Sequence, residues 1–230
     1  MKLSIIIPVL NEQDAILECL DSLQTIRDQG HEVIVVDGGS DDGSISLAQP
    51  AADQVLKSAP GRAVQMNSGA GVATGDLLLF LHVDTLLPAD AITILQEKMQ
   101  GHANHPHGNH LWGRFDMRLD SQHWMFRIIE TMMNLRSRLT SVSTGDQAIF
   151  TSRDLFDSVG GFPEIALMED IAISKLLRSY ARPVNLSQRV TSSVRRWQNR
   201  GIYRTIWLMW KLRLYYFLGA SPERLVSMYR

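Results

Sequence analysis

The run Val33-Ile34-Val35-Val36-Asp37, followed by Gly38-Gly39-Ser40-Asp41-Asp42-Gly43, constrains the fold more than any other stretch of the chain. Four consecutive apolar residues, three of them Val, lead into an Asp and a turn dense in Gly, Ser and Asp. An unbroken β-branched run of this kind suits a strand buried on both faces, as in a parallel sheet. Asp37 then stands at the carboxyl end of a central strand, on the rim where open α/β sheets hold their ligands. A second run, Leu77-Leu78-Leu79-Phe80-Leu81-His82-Val83-Asp84, ends in the same way. Two strands that each deliver a carboxylate to one rim point to a nucleotide base or ribose at one end and a metal–diphosphate at the other.

The pattern predicts alternating strands and helices through the first hundred residues. A strand at 3–10 precedes a helix at 12–27, with Asn11 as N-cap and Ile16, Cys19, Leu20 and Leu23 on one stripe. Strand 33–37, a short helix 44–48, a weak strand 54–58, a helix 61–73 and a strand 76–82 follow. Pro88 opens a helix that runs to Met99. Residues 101–109 read as a loop whose histidines, 102, 105 and 107, match no zinc spacing. Beyond it the texture changes. We expect a strand at 112–119, an amphipathic helix at 124–139, a short strand at 146–150, a turn at Gly160-Gly161-Phe162-Pro163, a helix at 169–180 and a last strand at 183–190.

With 230 residues, 45% apolar and 20% charged, the chain suits one sizeable α/β domain with a short appendage. The lone cysteine, Cys19, excludes an internal disulfide framework and reads as a packing residue. The apolar N-terminus is interrupted by Pro8 and reads as a first strand, not a leader. No apolar stretch approaches the roughly 20 residues that span a bilayer, so the expected location is cytoplasmic, with attachment to the inner membrane face left open. Charge is uneven: eight basic residues and one acidic, Glu223, lie between Arg195 and Arg230, giving +7 there and −8 elsewhere. On a helical wheel Arg200, Arg204 and Lys211 fall within about 40° of one another, with Ile202, Ile206, Met209 and Tyr216 opposite. Such a helix lies in a membrane interface, or docks on its own domain or a second subunit; Arg213 on its apolar side spoils a clean membrane pattern. No Gly-x-Gly-x-x-Gly follows the first strand, which disfavours dinucleotide binding, and no nucleic-acid reader module is present.

Several motifs in order resemble the inverting family-2 glycosyltransferases of GT-A fold. They are Ser4-Ile5-Ile6-Ile7-Pro8-Val9-Leu10-Asn11-Glu12, the Asp37 turn, Gly61-Arg62-Ala63-Val64-Gln65-Met66-Asn67, Leu81-His82-Val83-Asp84-Thr85, Gly160-Gly161-Phe162 and Met168-Glu169-Asp170. The resemblance implies a Rossmann-like, mostly parallel sheet flanked by helices over residues 1–190, with residues 1–100 binding the nucleotide-sugar, 101–190 facing the acceptor and 191–230 a basic amphipathic tail. It implies a UDP- or GDP-sugar donor contacted by Pro8, Glu12, Asp37, Arg62, Gln65, Asn67 and Asp84, and a small-molecule or lipid-linked acceptor. Asp37 would accept from the nucleotide base, and Asp170 would be the base that deprotonates the acceptor hydroxyl. Asp84 matches the last Asp of the Asp-x-Asp motif that holds Mn²⁺ or Mg²⁺. His82 replaces the first Asp, and an imidazole ligates Mn²⁺ more readily than Mg²⁺. Ser193 stands where processive members carry Gln before Arg196-Trp197, which weighs against a polymer synthase. A non-catalytic nucleotide-sugar binder and a sugar-1-phosphate nucleotidyltransferase remain as alternatives. Oligomeric state stays open, with a homo-oligomer as one option.

Overall fold

A computed structural model describes residues 1–102 and 110–229. Histidines 105 and 107 therefore lie outside the described residues. β1 (Leu3–Val9), α1 (Gln13–Asp28), β2 (Glu32–Asp37), α2 (Ser44–Ala48), β3 (Gln54–Lys57), α3 (Arg62–Val72) and β4 (Leu77–Phe80) form the expected alternating first half. β5 (Thr85–Leu86), α4 (Ala91–His102), β6 (Trp112–Leu119), α5 (Trp124–Thr140), β7 (Ile149–Ser152) and α6 (Arg153–Ser158) follow. α7 (Glu169–Tyr180), β8 (Val184–Ser192), α8 (Arg195–Arg200), α9 (Ile202–Phe217) and α10 (Pro222–Tyr229) complete the chain.

The strands form one eight-stranded sheet in the order β3-β2-β1-β4-β7-β6-β8-β5. β1, β2, β3 and β4 are mutually parallel, as are β6 and β8, whereas β7 runs antiparallel to both β4 and β6. The sheet is thus mixed but mostly parallel. Alternation along the strands splits the apolar residues between two cores. Val33 and Val35 join Ile16, Cys19, Leu20 and Leu23 of α1 on one face, while Ile34 and Val36 meet Ala63, Met66 and Ala70 of α3 on the other. Each fully buried Val or Ile contributes about 1.5–3 kcal/mol, which is why a four-residue apolar run without alternation fixes a central strand. β1 has β2 on one side and β4 on the other, so the chain reverses its direction of travel across the sheet there. A crevice opens beyond the carboxyl ends of strands at such a switch point.

Several local expectations are corrected. Asn11 is not the cap of α1: it adopts φ 53° and its side-chain oxygen accepts from the Asp41 N–H, while Glu12 takes the cap position. Pro88 lies three residues ahead of α4, and its carbonyl accepts from the Ala91 N–H. Gly101 and His102 belong to the end of α4. The 146–150 strand is instead a 3₁₀ turn, Gly145–Gln147, followed by β7. Its signature, Thr144-x-x-Gln147, is a capping box that binds both ends of the turn. The short helix α6 and the two-residue β5 carried no periodic signal strong enough to reveal them.

Within the three-helix tail, α9 is apolar on two faces. Ile202 and Ile206 pack against the larger core cluster, and Thr205 and Leu212 are buried. The outward face carries Tyr203, Trp207, Trp210, Leu214 and Phe217, each more than half exposed. No helix among the described residues is long and apolar enough to cross a membrane.

Candidate nucleotide-sugar and transfer site

A cleft of about 270 Å³ lies at the carboxyl ends of β1 and β4. Pro8 and Glu12 line it from the first strand and the loop that follows, Arg62 and Gln65 from α3, and His82 and Asp84 from the segment after β4. Six residues that the motifs singled out, separated by up to 76 positions, therefore line one cleft.

Their bonds distinguish builders from groups that face the cleft. Gln65 is buried, and its Nε2 donates to the carbonyls of Val9 and Val36, both at 2.8 Å. It ties the ends of β1 and β2 together beneath Gly38, leaving a Cβ there only 3.1 Å from the Gln65 side chain. Asn67 does not line the cleft: its amide exchanges two hydrogen bonds with the Phe162 backbone, at 2.9 and 2.8 Å, and anchors the Gly160-Gly161-Phe162 turn to α3. Asp37, expected on an open rim, is only 1% exposed. Its Oδ1 accepts from the Ser40 N–H at 3.0 Å, and its Oδ2 from the Gly39 N–H at 3.1 Å and the Ser40 N–H at 3.2 Å. The turn closes around its own Asp because Gly39, at φ 100°, adopts a conformation that side chains resist. Glu12 is paired with Arg195 of α8 at 2.9 Å, so the tail reaches the cleft edge.

A second cluster borders Arg62. Glu169 and Asp170 open α7 directly after Met168, which is held at φ 73°. A non-glycine residue in that region is uncommon and is found where surrounding structure enforces it. Asp170 Oδ2 accepts from the Gly145 N–H at 2.8 Å. Glu169 is buried, with Oε1 3.9 Å from an Arg62 nitrogen. Burial, and then the charge of Asp170, push the Glu169 carboxyl up to about 7, against the pull of Arg62 and His82. His82 Nδ1 lies 3.4 Å from Asp146 Oδ1. Burial acts to lower the His82 pKa, but the hydrogen bond and charge of Asp146, with Asp170 beyond, outweigh it and the Arg62 charge, and the pKa is raised. The other ring nitrogen, Nε2, is buried without a partner and packs on Gly145, where any Cβ would collide with the ring.

A carboxylate that could hold a divalent cation at the cleft is Asp84, whose Oδ1 accepts a long, 3.5 Å hydrogen bond from the Thr85 hydroxyl. His82 Nδ1 faces Asp146, and its Nε2 lies against Gly145 without a hydrogen-bond partner among the described residues. No group of three His, Cys, Asp or Glu side chains is assembled for a metal among the described residues. One carboxylate fits a cation that is held jointly by the protein and an anionic ligand, as Mg²⁺ commonly is at phosphates.

Residues 4–160 match the family described as Glycosyl transferase family 2. The chain belongs to that family. A PGL/p-HBAD biosynthesis glycosyltransferase of Mycobacterium bovis is 30% identical over 167 residues, covering 69% of this chain and 62% of the relative. A poly(ribitol-phosphate) beta-glucosyltransferase of Bacillus spizizenii is 33% identical over 103 residues, covering 40% of this chain and 16% of the relative. The family-2 chain therefore spans about three fifths of the first of these relatives and far less of the second. Among solved structures, S. aureus TarS 1-349 superposes with a TM-score of 0.68 at 20% identity, over 84% of this chain and 60% of that one. A mannosyltransferase from Pyrobaculum calidifontis, in complex with GDP-Man and Mn²⁺, gives a TM-score of 0.62 at 22% identity, over 92% of this chain and 60% of that one. At these identities the likeness establishes the shared GT-A fold.

Proposed function

We propose that this chain is a metal-dependent, inverting glycosyltransferase that moves a sugar from a UDP- or GDP-linked donor to an acceptor hydroxyl. One observation carries the reading: the cleft at the β1/β4 switch point brings together Pro8, Glu12, Arg62, Gln65, His82 and Asp84, with Asp170 linked to its far side through Gly145. Asp84 would hold Mn²⁺ or Mg²⁺ against the donor diphosphate, and the cation would stabilise the charge on that leaving group. Asp37 keeps a lone pair on Oδ1 for a base N–H, since that oxygen accepts one hydrogen bond while Oδ2 accepts two.

Transfer is one displacement. The acceptor oxygen bonds to the anomeric carbon as the bond from that carbon to the diphosphate breaks, and the hydroxyl proton passes to Asp170. Attack opposite the leaving group inverts the configuration. Glu169, with its carboxyl raised to about 7 and turned toward Arg62, is the weaker candidate for base and the better one for setting the guanidinium. His82 supports the Gly145 turn that Asp170 grips.

The acceptor in this reading is a small molecule or a lipid-linked hydroxyl. The outward aromatic face of α9, together with Lys211 lying 4.9 Å over the Trp207 ring, suits contact with an anionic membrane surface at the inner face; a homo-oligomer would cover the same face. Calorimetric titration of UDP and GDP with and without Mn²⁺ tests the donor side. Wild type is expected to bind one of them more tightly with metal. Asp84→Ala is expected to abolish the metal enhancement, and His82→Ala to weaken it less. Asp37→Ala is expected to cost about 1.5–3 kcal/mol of nucleotide affinity. Normal metal and diphosphate binding by Asp84→Ala would move the site elsewhere.

A further inference from the structure

Two helices of the second half expose apolar rows that the sheet does not use. On the outward face of α9, Trp207, Trp210, Leu214 and Phe217 are each more than half exposed. On α5 a second row, Trp124, Ile128, Met132, Leu135 and Leu139, is about half exposed or more and recurs at 4, 4, 3 and 4 residues along one helical face. Both helices rise from one core. Met125 of α5, Trp197 of α8 and Ile206 of α9 pack against the same cluster, and the Phe126 and Trp197 rings meet edge-on at 6.2 Å. Large apolar side chains exposed singly need no explanation, but rows of them mark a contact surface.

Charge decides what covers it. α9 carries Arg204, Lys211 and Arg213 and no acid. At 100° per residue, Arg204 and Lys211 edge the outward face within about 60° of Trp207. Lys211 Nζ lies 4.9 Å over the Trp207 ring and 5.9 Å over that of Tyr215, and the Arg224 guanidinium of α10 lies 5.8 Å from the same Tyr215 ring. On α5 there are three arginines and one acid, Glu130, which is buried and paired with Arg127 at 3.0 Å. A two-fold dimer uses the same patch on both copies. It would therefore set the α9 cations against their own twins, a like-charge juxtaposition that opposes association. An anionic bilayer answers both kinds of side chain, since aromatic rings seat at headgroup level while basic groups meet the lipid phosphates.

We propose that α9, with the α5 row as a second contact, docks this chain on the surface of an anionic lipid bilayer. The docked helix is tied to α7: Lys175 Nζ lies 4.8 Å over the Tyr216 ring and 5.2 Å over that of Phe217. α7 opens with Glu169 and Asp170, so the helix that carries the proposed base is braced against the one that meets the lipid. The role of Asp170 rests on the glycosyl-transfer reading above, which the docking deepens; lipid binding itself needs neither donor nor acceptor.

Co-sedimentation of the full chain with phosphatidylcholine vesicles, with and without phosphatidylglycerol, tests the docking, and indole fluorescence gives a second readout. Wild type is expected to bind the anionic vesicles at least tenfold more tightly than the neutral ones, with a blue shift of indole emission, and to release them at high salt. Two double variants, Trp207→Ser with Trp210→Ser and Arg204→Glu with Lys211→Glu, are each expected to lose tenfold or more in vesicle affinity. Trp207, Trp210 and Arg204 are exposed and Lys211 is half-buried, so both variants are expected to keep the melting temperature of wild type and to bind UDP or GDP with Mn²⁺ within twofold of it. Leu135→Ser with Leu139→Ser is expected to lose less, about threefold, and no loss there overturns the α5 contact. Equal affinity for neutral and anionic vesicles, binding to neither, or binding indifferent to the α9 variants overturns the docking. A solution dimer that Trp207→Ser with Trp210→Ser abolishes also overturns it, because a second copy then covers the face. If wild type binds vesicles through α9 but binds no nucleoside diphosphate, the glycosyl-transfer reading fails and the docking stands. Nucleotide binding without vesicle binding gives the converse.

Discussion

In the half of the molecule built from β1 to β4, three polar side chains that the motifs singled out are bonded to the protein's own backbone. Gln65 holds two strand-end carbonyls, Asn67 holds Phe162, and Asp37 holds its own turn. In the half that follows β4, buried polar atoms are left over: His82 Nε2, Arg114 Nε, two nitrogens of Arg136, Ser137 Oγ and Asn185 Oδ1. The first half is a preformed surface whose loops need no ligand to be satisfied. The second carries groups that are costly to bury alone and gains most from a bound partner. This contrast fits a donor that docks on a rigid rim and an acceptor that completes an unfinished pocket.

The largest expected effect falls where the halves meet. Asp170→Asn keeps size and shape but removes the proton acceptor, so transfer is expected to fall by ~10²–10⁴-fold with donor affinity preserved, as single-turnover assays and calorimetry would show. Loss of donor affinity in that variant would make Asp170 part of the rigid rim instead and blur the contrast.

A smaller effect is expected from Gln65→Leu. It removes the side-chain donor from the Val36 carbonyl and leaves the Val9 carbonyl with the Gly38 N–H, at about 1–3 kcal/mol for a carbonyl left unsatisfied, measurable by urea denaturation. A neutral result would mean that the donor half is not braced through Gln65.

The pH dependence of stability should report the second half. Glu169 is raised to about 7 in the folded chain by burial and by Asp170, from an ordinary value of about 4.3. A carboxyl that binds its proton more tightly when folded contributes stability that is complete below about pH 4.3 and is lost as pH rises through about 7. Stability therefore declines across that window, and Glu169→Gln is expected to flatten the decline in urea midpoints taken through it. An unchanged slope would assign the decline to His82, which is also raised and loses its contribution in the same direction.

The smallest effect belongs to the strut between the halves. Arg195→Ala removes a partly exposed pair with Glu12 and should cost only about 0.2–1 kcal/mol, read by the same denaturation. A larger loss would show that the tail braces the donor half and does more than lie against it.

What was legible in the chain and what was not divides along the same line. Strand runs such as 33–36 and 77–80 declare themselves because burial on both faces demands continuous apolar sequence, and the glycines and acids after them mark the rim. Periodicity also located α5 and α7, whose buried positions recur at helical spacing. Cys19 was readable as packing: it is 1% exposed, and burial, with the charges of Asp84 and Glu18, pushes its thiol up to about 12. Residue identity alone, however, does not say where a polar side chain spends its hydrogen bonds. Asp37, Gln65 and Asn67 carry the same letters whether they face a nucleotide or the backbone, and His82 the same letter whether it faces a metal or Asp146. Those choices depend on groups brought close from distant positions, such as Phe162 to Asn67 and Gly145 to both His82 and Asp170. The tail shows the same limit. A helix with apolar residues on two faces has no single direction in its sequence, and only the core that received Ile202 and Ile206 decided which aromatic face turned outward. Short-range pattern follows from the free energy of burying each segment, whereas the direction of a side chain and the pairing of a charge follow from which segments the finished sheet places side by side.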